Sequence, residues 1–318
     1  MEKPIATIRL TKIAWILIAA FLGLQILMTV LSSPLEMLVY HHDEPQQLSA
    51  GVVTMAMILY MLEVPLLVYA VWQSRQTSVT HQSAVNSAIL LPVCYFGRSV
   101  LGYPIVLFVG NHMLGNEAVF QYSRLMNLVQ PVFYLYTAAF VLLACACAIE
   151  YQMTAPKREA TRPLTMFAMI GSLGYLAMRF VCILFYEQIS SLIYHYELTF
   201  PMKWKLVLLA FVAATCVPTV ILSMKSHFSQ TSALTKIIAT PILFYGISGI
   251  CTLIRRFILS RFMNAEGVDT VAAFAQADSF GNILPVVLFA AVVCLICAGA
   301  MEYHQNKFAP SDGESSNL

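Results

Sequence analysis

Two stretches of this sequence are nearly the same: CACAIEY at residues 145–151 and CAGAMEY at residues 297–303. Each closes a long apolar run, and they lie about 152 residues apart in a chain of 318. Other pairs recur in the same order at offsets of about 149 to 154, such as LPVCYFG (91–97) with TPILFYG (240–246). Single apolar segments resemble one another by chance, but a shared order of several does not. The pattern therefore predicts a tandem duplication.

The composition indicates that the chain lies in a lipid membrane rather than in water. Hydrophobic residues make up 59% of the chain and charged residues 11%, and the mean hydropathy is +0.75. A soluble domain carries roughly 25% charged residues. Runs of about 18 or more apolar residues are typical of membrane-spanning helices. The sequence predicts an all-α integral membrane protein with eight transmembrane helices, near 12–33, 50–72, 85–109, 124–149, 163–186, 206–224, 237–259 and 281–303.

The duplication and the distribution of charge predict the topology. We expect two four-helix repeats, 1–156 and 157–304, and a disordered cytoplasmic tail, 305–318. Each repeat has an even number of spans, so both insert with the same orientation, as in transporters built from parallel repeats. Lys and Arg concentrate before span one, after the even-numbered spans and at the C-terminus. By the positive-inside rule both termini are cytoplasmic, and we expect the plasma (inner) membrane.

Two charges fall deep inside predicted spans. Glu63 lies about twelve residues into span two, and Arg98 lies at a similar depth in span three. A charge in hydrocarbon costs at least about 2.5–3.5 kcal/mol, so we expect these two side chains to pair. The pair either fixes helix register or acts as a titratable or ligand-gated site. The second repeat has Cys216 and Ile247 at the matching positions.

Further arginines and amides lie in the outer half of the predicted spans. Arg179 aligns with Gln25 of span one, and Arg255 lies in the outer third of span seven. The planar guanidinium group suits carboxylate and phosphate oxygens, although an arginine near the outer face also reaches lipid headgroups by snorkelling. We expect ligand binding by Glu63, Arg98, Arg124, Gln130, Arg179, Arg255, Arg256 and Asn282.

The histidines argue against a haem protein. No histidine falls in the middle of a span, whereas a haem held between helices needs axial histidines there. Four histidines on the outer side leave an outer metal site as an alternative, although their spacing matches no metal motif: His41, His42, His112 and His195. We expect no cofactor.

The repeated phrase itself carries a carboxylate, Glu150 in the first repeat and Glu302 in the second. Each lies at the cytoplasmic end of a helix, where a negative charge opposes the helix dipole. We expect ion pairs with Arg158, Lys307 or Lys236 that hold the helix ends in place; a cytoplasmic gate is the alternative.

The function hypotheses follow from these charges and from missing motifs. The sequence contains no GxSxG, HExxH, P-loop or dinucleotide fingerprint, and an enzyme with an unfamiliar site is a further alternative. The first hypothesis is a transporter or flippase-like carrier that binds an anionic or amphipathic ligand in a central cavity open toward the outer side. The second is a non-catalytic membrane subunit, scaffold or sensor. The partners expected are membrane lipid, an anionic small molecule or lipid headgroup, and a partner membrane protein, but no nucleic acid.

Overall fold

Eight helices in the described residues are long and apolar enough to cross a membrane, as the sequence predicts. The computed structural model describes residues 1–32, 34–35, 48–109, 121–122, 125–126, 129–154, 161–194, 200–224, 230–261, 274, 277 and 284–308. The predicted tail lies largely outside this range. The protein is an all-helical polytopic membrane protein. Its chain forms two compact units, Met1–Pro156 and Lys157–Leu318, whose residues mostly contact others of the same unit.

The first unit contains four spans, of which the second is interrupted. Its helices are α1 (Ile5–Val30), α2 (Ala50–Met61), α3 (Val64–Arg75), α4 (His81–Val109) and α5 (Phe133–Thr154). Together, α2 and α3 form span two, and a short 3-10 turn, Gln130–Val132, precedes α5.

Where the structure describes it, the second unit also contains four spans, with one short additional helix between the first two. Its helices are α6 (Thr161–Leu184), α7 (Tyr186–Tyr194), α8 (Met202–Met224), α9 (Gln230–Arg261) and α10 (Leu284–Phe308). Tyr186 and Ser190 of α7 are buried, while Leu192 is exposed. This short helix therefore packs one face against the unit.

The outer surfaces of the helices are apolar. Val68, Ile89, Ile242 and Leu253 each expose more than half of their surface. Apolar exposure on this scale is unfavourable in water but favourable against lipid chains, where the helices satisfy their own backbone hydrogen bonds. The helix faces that are buried within the protein also carry polar residues, such as the fully buried Gln25.

Each unit uses the same set of helix neighbours. In the first unit, α1 packs against α3 and α5, and α4 packs against α5. In the second unit, α6 packs against α8 and α10, and α9 packs against α10. Spans one and four of each unit therefore lie at its centre, next to spans two and three respectively.

The first three residues are fixed to the linker that follows α3. The Lys3 amide donates to the Thr77 carbonyl at 2.8 Å, and the Val79 amide donates to the Met1 carbonyl at 2.8 Å. Glu2 and Ser78 form an antiparallel bridge between these segments. This pairing places the Lys3 side chain inside the end of the first unit.

Lys3 is the partner of the repeated carboxylate in the first unit. Its ammonium lies 2.9 Å from Glu150, and both side chains are buried. The ammonium also donates to the Gln73 carbonyl and side-chain oxygens at 2.6 and 2.9 Å. Gln73 continues the network to the hydroxyl groups of Tyr69 and Ser87. Our expectation of an ion pair at Glu150 holds, but its partner comes from the N-terminal segment.

Lys236 is the partner in the second unit, as predicted. Its ammonium donates to both carboxylate oxygens of Glu302, at 2.7 and 2.9 Å, and both residues are buried. Gly299 makes this contact between α9 and α10 feasible. A Cβ atom at residue 299 would lie 2.9 Å from the Lys236 Cβ and 3.1 Å from the Ala233 carbonyl oxygen.

We expect Lys3→Met to lower the melting temperature of the purified protein strongly. Removing one partner of a buried ion pair leaves an uncompensated charge and costs about 3–5 kcal/mol. Lys12→Met is the matched control, because it removes an exposed cation of α1. This change should affect stability little. Adding Glu150→Gln to Lys3→Met should restore part of the loss. Equal melting temperatures for the two single variants would contradict the structural role of Lys3.

We expect Gly299→Ala to destabilise the protein, because the added methyl group meets backbone and Cβ atoms that have little room to move. Overpacking of this kind costs about 1–3 kcal/mol. Gly174→Ala is the control, since a Cβ atom at residue 174 has nothing within 4 Å. Thermal unfolding in detergent compares the two. A Gly299→Ala protein as stable as Gly174→Ala would show that α9 and α10 are not in close contact there.

Candidate functional site

Glu63 lies at a break in span two. The helix α2 ends at Met61 and α3 begins at Val64, so the intervening turn is near the middle of a 26-residue span. The cause is local: Pro65 has no N–H to donate to the carbonyl group four residues earlier. The Glu63 amide instead donates to the Tyr60 carbonyl, and the Leu66 amide donates to the Glu63 carbonyl. Both bonds span three residues, as in a 3-10 turn.

Proline does not interrupt the matching span of the second unit. Pro218 lies inside α8, which continues from Met202 to Met224. Pro65 and Pro218 occupy similar depths in spans two and six, and the helix is interrupted beside Pro65 but continuous across Pro218. The break and the carboxylate therefore occur together in one unit.

Glu63 and Arg98 form the ion pair that the sequence predicts. The Arg98 Nε lies 2.7 Å from the Glu63 Oε1. The Glu63 side chain is fully buried, whereas 20% of the Arg98 side chain is exposed. The guanidinium group also lies over the Phe133 ring, 4.7 Å from its centroid, in a cation–π contact. The pair thus joins the break in span two to α4 and to the start of α5.

Gln25 of α1 is the third polar residue of the site. Its amide nitrogen donates to the Glu63 Oε1 at 3.4 Å, and the residue is fully buried. One turn further along α1, Thr29 shares a 2.8 Å hydrogen bond with the Tyr60 hydroxyl group. The sequence marks Gln25 only through its alignment with Arg179, because an amide inside an apolar helix is not by itself a signal of function.

Three buried oxygen atoms around this ion pair have no hydrogen-bond partner among the described residues. They are the Gln25 Oε1, the Glu63 Oε2 and the Tyr136 hydroxyl oxygen. Buried polar groups are nearly always satisfied by protein or by ordered water. The described residues around this buried ion pair therefore leave hydrogen-bonding capacity unused at three oxygen atoms.

Aromatic rings surround the polar atoms. The Tyr136 ring lies 5.1 Å from Phe21, 5.4 Å from Phe133 and 5.3 Å from Tyr95, measured between centroids. Tyr95 also bonds to the Thr137 hydroxyl group at 3.2 Å. The resulting environment has a low dielectric constant, which strengthens electrostatic interactions with the pair.

The second unit has no copy of this pair at the aligned positions. Arg179 of α6 is buried, and its charge lies within electrostatic range of the fully buried Cys216, which stands where Glu63 stands. Ile247 occupies the position of Arg98. Arg255 of α9 is half-buried, with its guanidinium carbon 5.9 Å from the Phe211 ring centroid. The two units thus place their arginines differently.

The structure brings together only part of the predicted ligand-binding set. Glu63 and Arg98 meet in the first unit, and Gln130, also in that unit, begins the 3-10 turn with an exposed side chain. Arg179 and Arg255 belong to the second unit. The remaining predicted residues, or their side chains, lie outside what the structure describes: Arg124, Arg256, Asn282, His41, His42, His112 and His195.

Within the described residues no three His, Cys, Asp or Glu side chains lie close enough to hold a metal ion. None of the eight cysteines forms a disulfide, and five of them are buried. Cys147 instead contacts the Tyr69 hydroxyl group at 3.1 Å.

No protein-family model matches this chain, and no curated protein or solved structure is significantly similar to it.

We expect Glu63→Leu to destabilise the protein more than the double variant Glu63→Leu/Arg98→Leu. The single change leaves the Arg98 guanidinium without its carboxylate and should cost on the order of 3 kcal/mol, while replacing both charges with apolar groups is often nearly neutral. Thermal unfolding of the wild type, both single variants and the double variant gives the coupling energy. Additive losses would show that the two side chains do not interact in the folded protein.

Proposed function

We propose that the protein is a membrane carrier that binds a small anionic or amphipathic ligand at the Glu63–Arg98 pair. The observation that carries this proposal is the set of three unpartnered buried oxygen atoms around an ion pair at a helix break. The ligand is an anionic small molecule or a lipid headgroup. The proposed location is the plasma (inner) membrane.

The energetics of the pair support a binding role. Apolar residues of similar volume would often be at least as stable as a buried ion pair, and each unsatisfied oxygen costs a further about 1–3 kcal/mol. A chain that keeps Glu63, Arg98 and three such oxygens in hydrocarbon therefore keeps an arrangement that is unfavourable for stability. Binding accounts for this arrangement, because ionisable residues inside membranes commonly mark substrate or ion pathways.

The broken span supports the same role. Transporters often form their binding sites from discontinuous helices near the middle of the bilayer, where unwound backbone is tolerated next to a cavity or ligand. Here the interruption at residues 62–63 coincides with the buried carboxylate. The exposed part of Arg98 gives the pair a side from which a ligand reaches it.

The shared packing of the two units supports a duplicated frame. The three helix–helix relationships described above, between spans one and two, one and four, and three and four, recur in both units. Under this proposal the first unit carries the ligand site, because Gln25, Glu63, Arg98 and Tyr136 all belong to it. A binding site within one unit differs from the central cavity that the sequence alone suggests.

One observation favours the alternative, a non-catalytic subunit or scaffold that contacts lipid or a partner membrane protein. Glu63 is fully buried and its Oε1 lies only 2.7 Å from Arg98, as in an ion pair that serves only to fix the packing of two helices. Such a pair would need no access from water. Whether water reaches the atoms around the Glu63–Arg98 pair therefore distinguishes the carrier from the scaffold.

Thiol labelling tests the proposal while Glu63 and Arg98 both stay in place. Single cysteines replace Gln25 or Tyr136 in a variant that lacks the native cysteines, and a third variant keeps only Cys216 as the matched buried position of the second unit. We expect the membrane-impermeant anion 2-sulfonatoethyl methanethiosulfonate to modify residues 25 and 136 much faster than residue 216. Equal, slow labelling of all three folded proteins would indicate a dry ion pair and the scaffold function.

A further inference from the structure

The charges at the site limit which ligand it could take; this inference rests on the carrier function proposed above. Glu63 and Arg98 neutralise each other, with 2.7 Å between the Arg98 Nε and the Glu63 Oε1. An anion that binds the Arg98 guanidinium group competes with a carboxylate that is already in contact. Two anions would then share one cation in a low-dielectric site, which strongly disfavours the charged form of one of them.

We propose that the ligand is a singly charged anion that enters the site together with one proton. The anion binds the Arg98 guanidinium group, the ion pair with Glu63 breaks, and the proton from solution binds the Glu63 carboxylate. Counting the described residues and the ligand, the site then contains one cation and one anion, as it did before. A dianion would leave one negative charge uncompensated, so the balance of charge selects monoanions.

Gln25 is placed to stabilise the neutral form of Glu63. Its amide nitrogen donates to the Glu63 Oε1 in the ion-paired state, while its own Oε1 is buried without a partner. A protonated carboxyl group gains an O–H donor, and the Gln25 carbonyl oxygen is the acceptor for it. The same amide therefore serves both protonation states of Glu63.

The other titratable groups that act on Glu63 do not take this proton. They are the Arg98 guanidinium group and the hydroxyl groups of Tyr60, Tyr122 and Tyr136. Arginine stays charged throughout the accessible pH range, and phenols ordinarily ionise near pH 10. Among the described residues at this site, Glu63 is thus the group able to change its charge between acidic and neutral pH.

Isothermal titration with benzenesulfonate tests the proposal, because this monoanion does not itself take up a proton in the range studied. The full-length protein is placed in nanodiscs of neutral phosphatidylcholine, with protein-free discs as the blank. In the wild type we expect affinity to fall by up to about tenfold per pH unit as the pH rises, as linkage to one proton requires. A pH-sensitive dye should report uptake of one proton for each anion bound.

The Glu63→Gln variant imitates the protonated state and should bind benzenesulfonate with an affinity that no longer depends on pH. Glu187→Gln, which removes a carboxylate that pairs with Lys205 in the second unit, is the matched control and should keep the wild-type pH dependence. Benzene-1,3-disulfonate should bind the wild type at least tenfold more weakly than benzenesulfonate, since one uncompensated charge shifts affinity by more than 1.4 kcal/mol.

Three results separate this inference from the carrier proposal. Binding to the wild type with no pH dependence and no proton uptake overturns the inference and leaves the carrier function. Tighter binding of the dianion than of the monoanion overturns it as well. If neither the wild type nor folded Glu63→Gln binds benzenesulfonate at any pH, both the inference and the anion-carrier function fail.

A second arm identifies the source of the anion. The titration is repeated in discs that contain phosphatidylglycerol, whose phosphodiester also carries one negative charge. Weaker benzenesulfonate binding by the wild type, with no such weakening in Arg98→Lys, would identify a lipid headgroup as the competing monoanion. Unchanged wild-type binding would identify a soluble anion. Either result is consistent with entry of a monoanion and a proton.

Discussion

The constraint on which this structure depends is the cost of leaving a charge alone in hydrocarbon. Three buried ion pairs join helices or segments that are distant in sequence, so each also fixes tertiary structure. One pair lies at mid-span between the break in span two and α4. The other two lie at the ends of spans four and eight, where the repeated phrase places a carboxylate. Because a lone partner would be unfavourable, helix packing and charge pairing determine each other.

The two units pair the carboxylate at the end of their fourth span with lysines from different parts of the chain. The carboxylate recurs, but its lysine comes from the N-terminal segment in one unit and from α9 in the other. Gly299 aligns with Cys147, and this exchange has a packing reason. The glycine allows α9 to approach α10 closely, whereas the Cys147 thiol contacts Tyr69. The two units thus share their helix neighbours but differ in the side-chain contacts at these helix ends.

The mid-membrane site shows the same asymmetry and gives it a functional meaning. In the first unit, the break in span two, the buried Glu63 carboxylate and three hydrogen-bonding atoms without a partner among the described residues occur at one place. In the second unit Arg179 lies at the position that Gln25 occupies in the first, and Cys216 stands where Glu63 does. In the proposed carrier, the first unit therefore binds the ligand.

The sequence by itself determined the number and approximate limits of the spans, because crossing a bilayer requires only a long local run of apolar residues. It also indicated the Glu63–Arg98 pair, since two opposite charges at equal depth have few other partners. Lys3, Gln25 and Gly299 gave no such signal. Their roles depend on which helices become neighbours, and only the tertiary structure decides this, because packing between apolar helices rests on shape and on pairing of polar groups rather than on hydrophobicity.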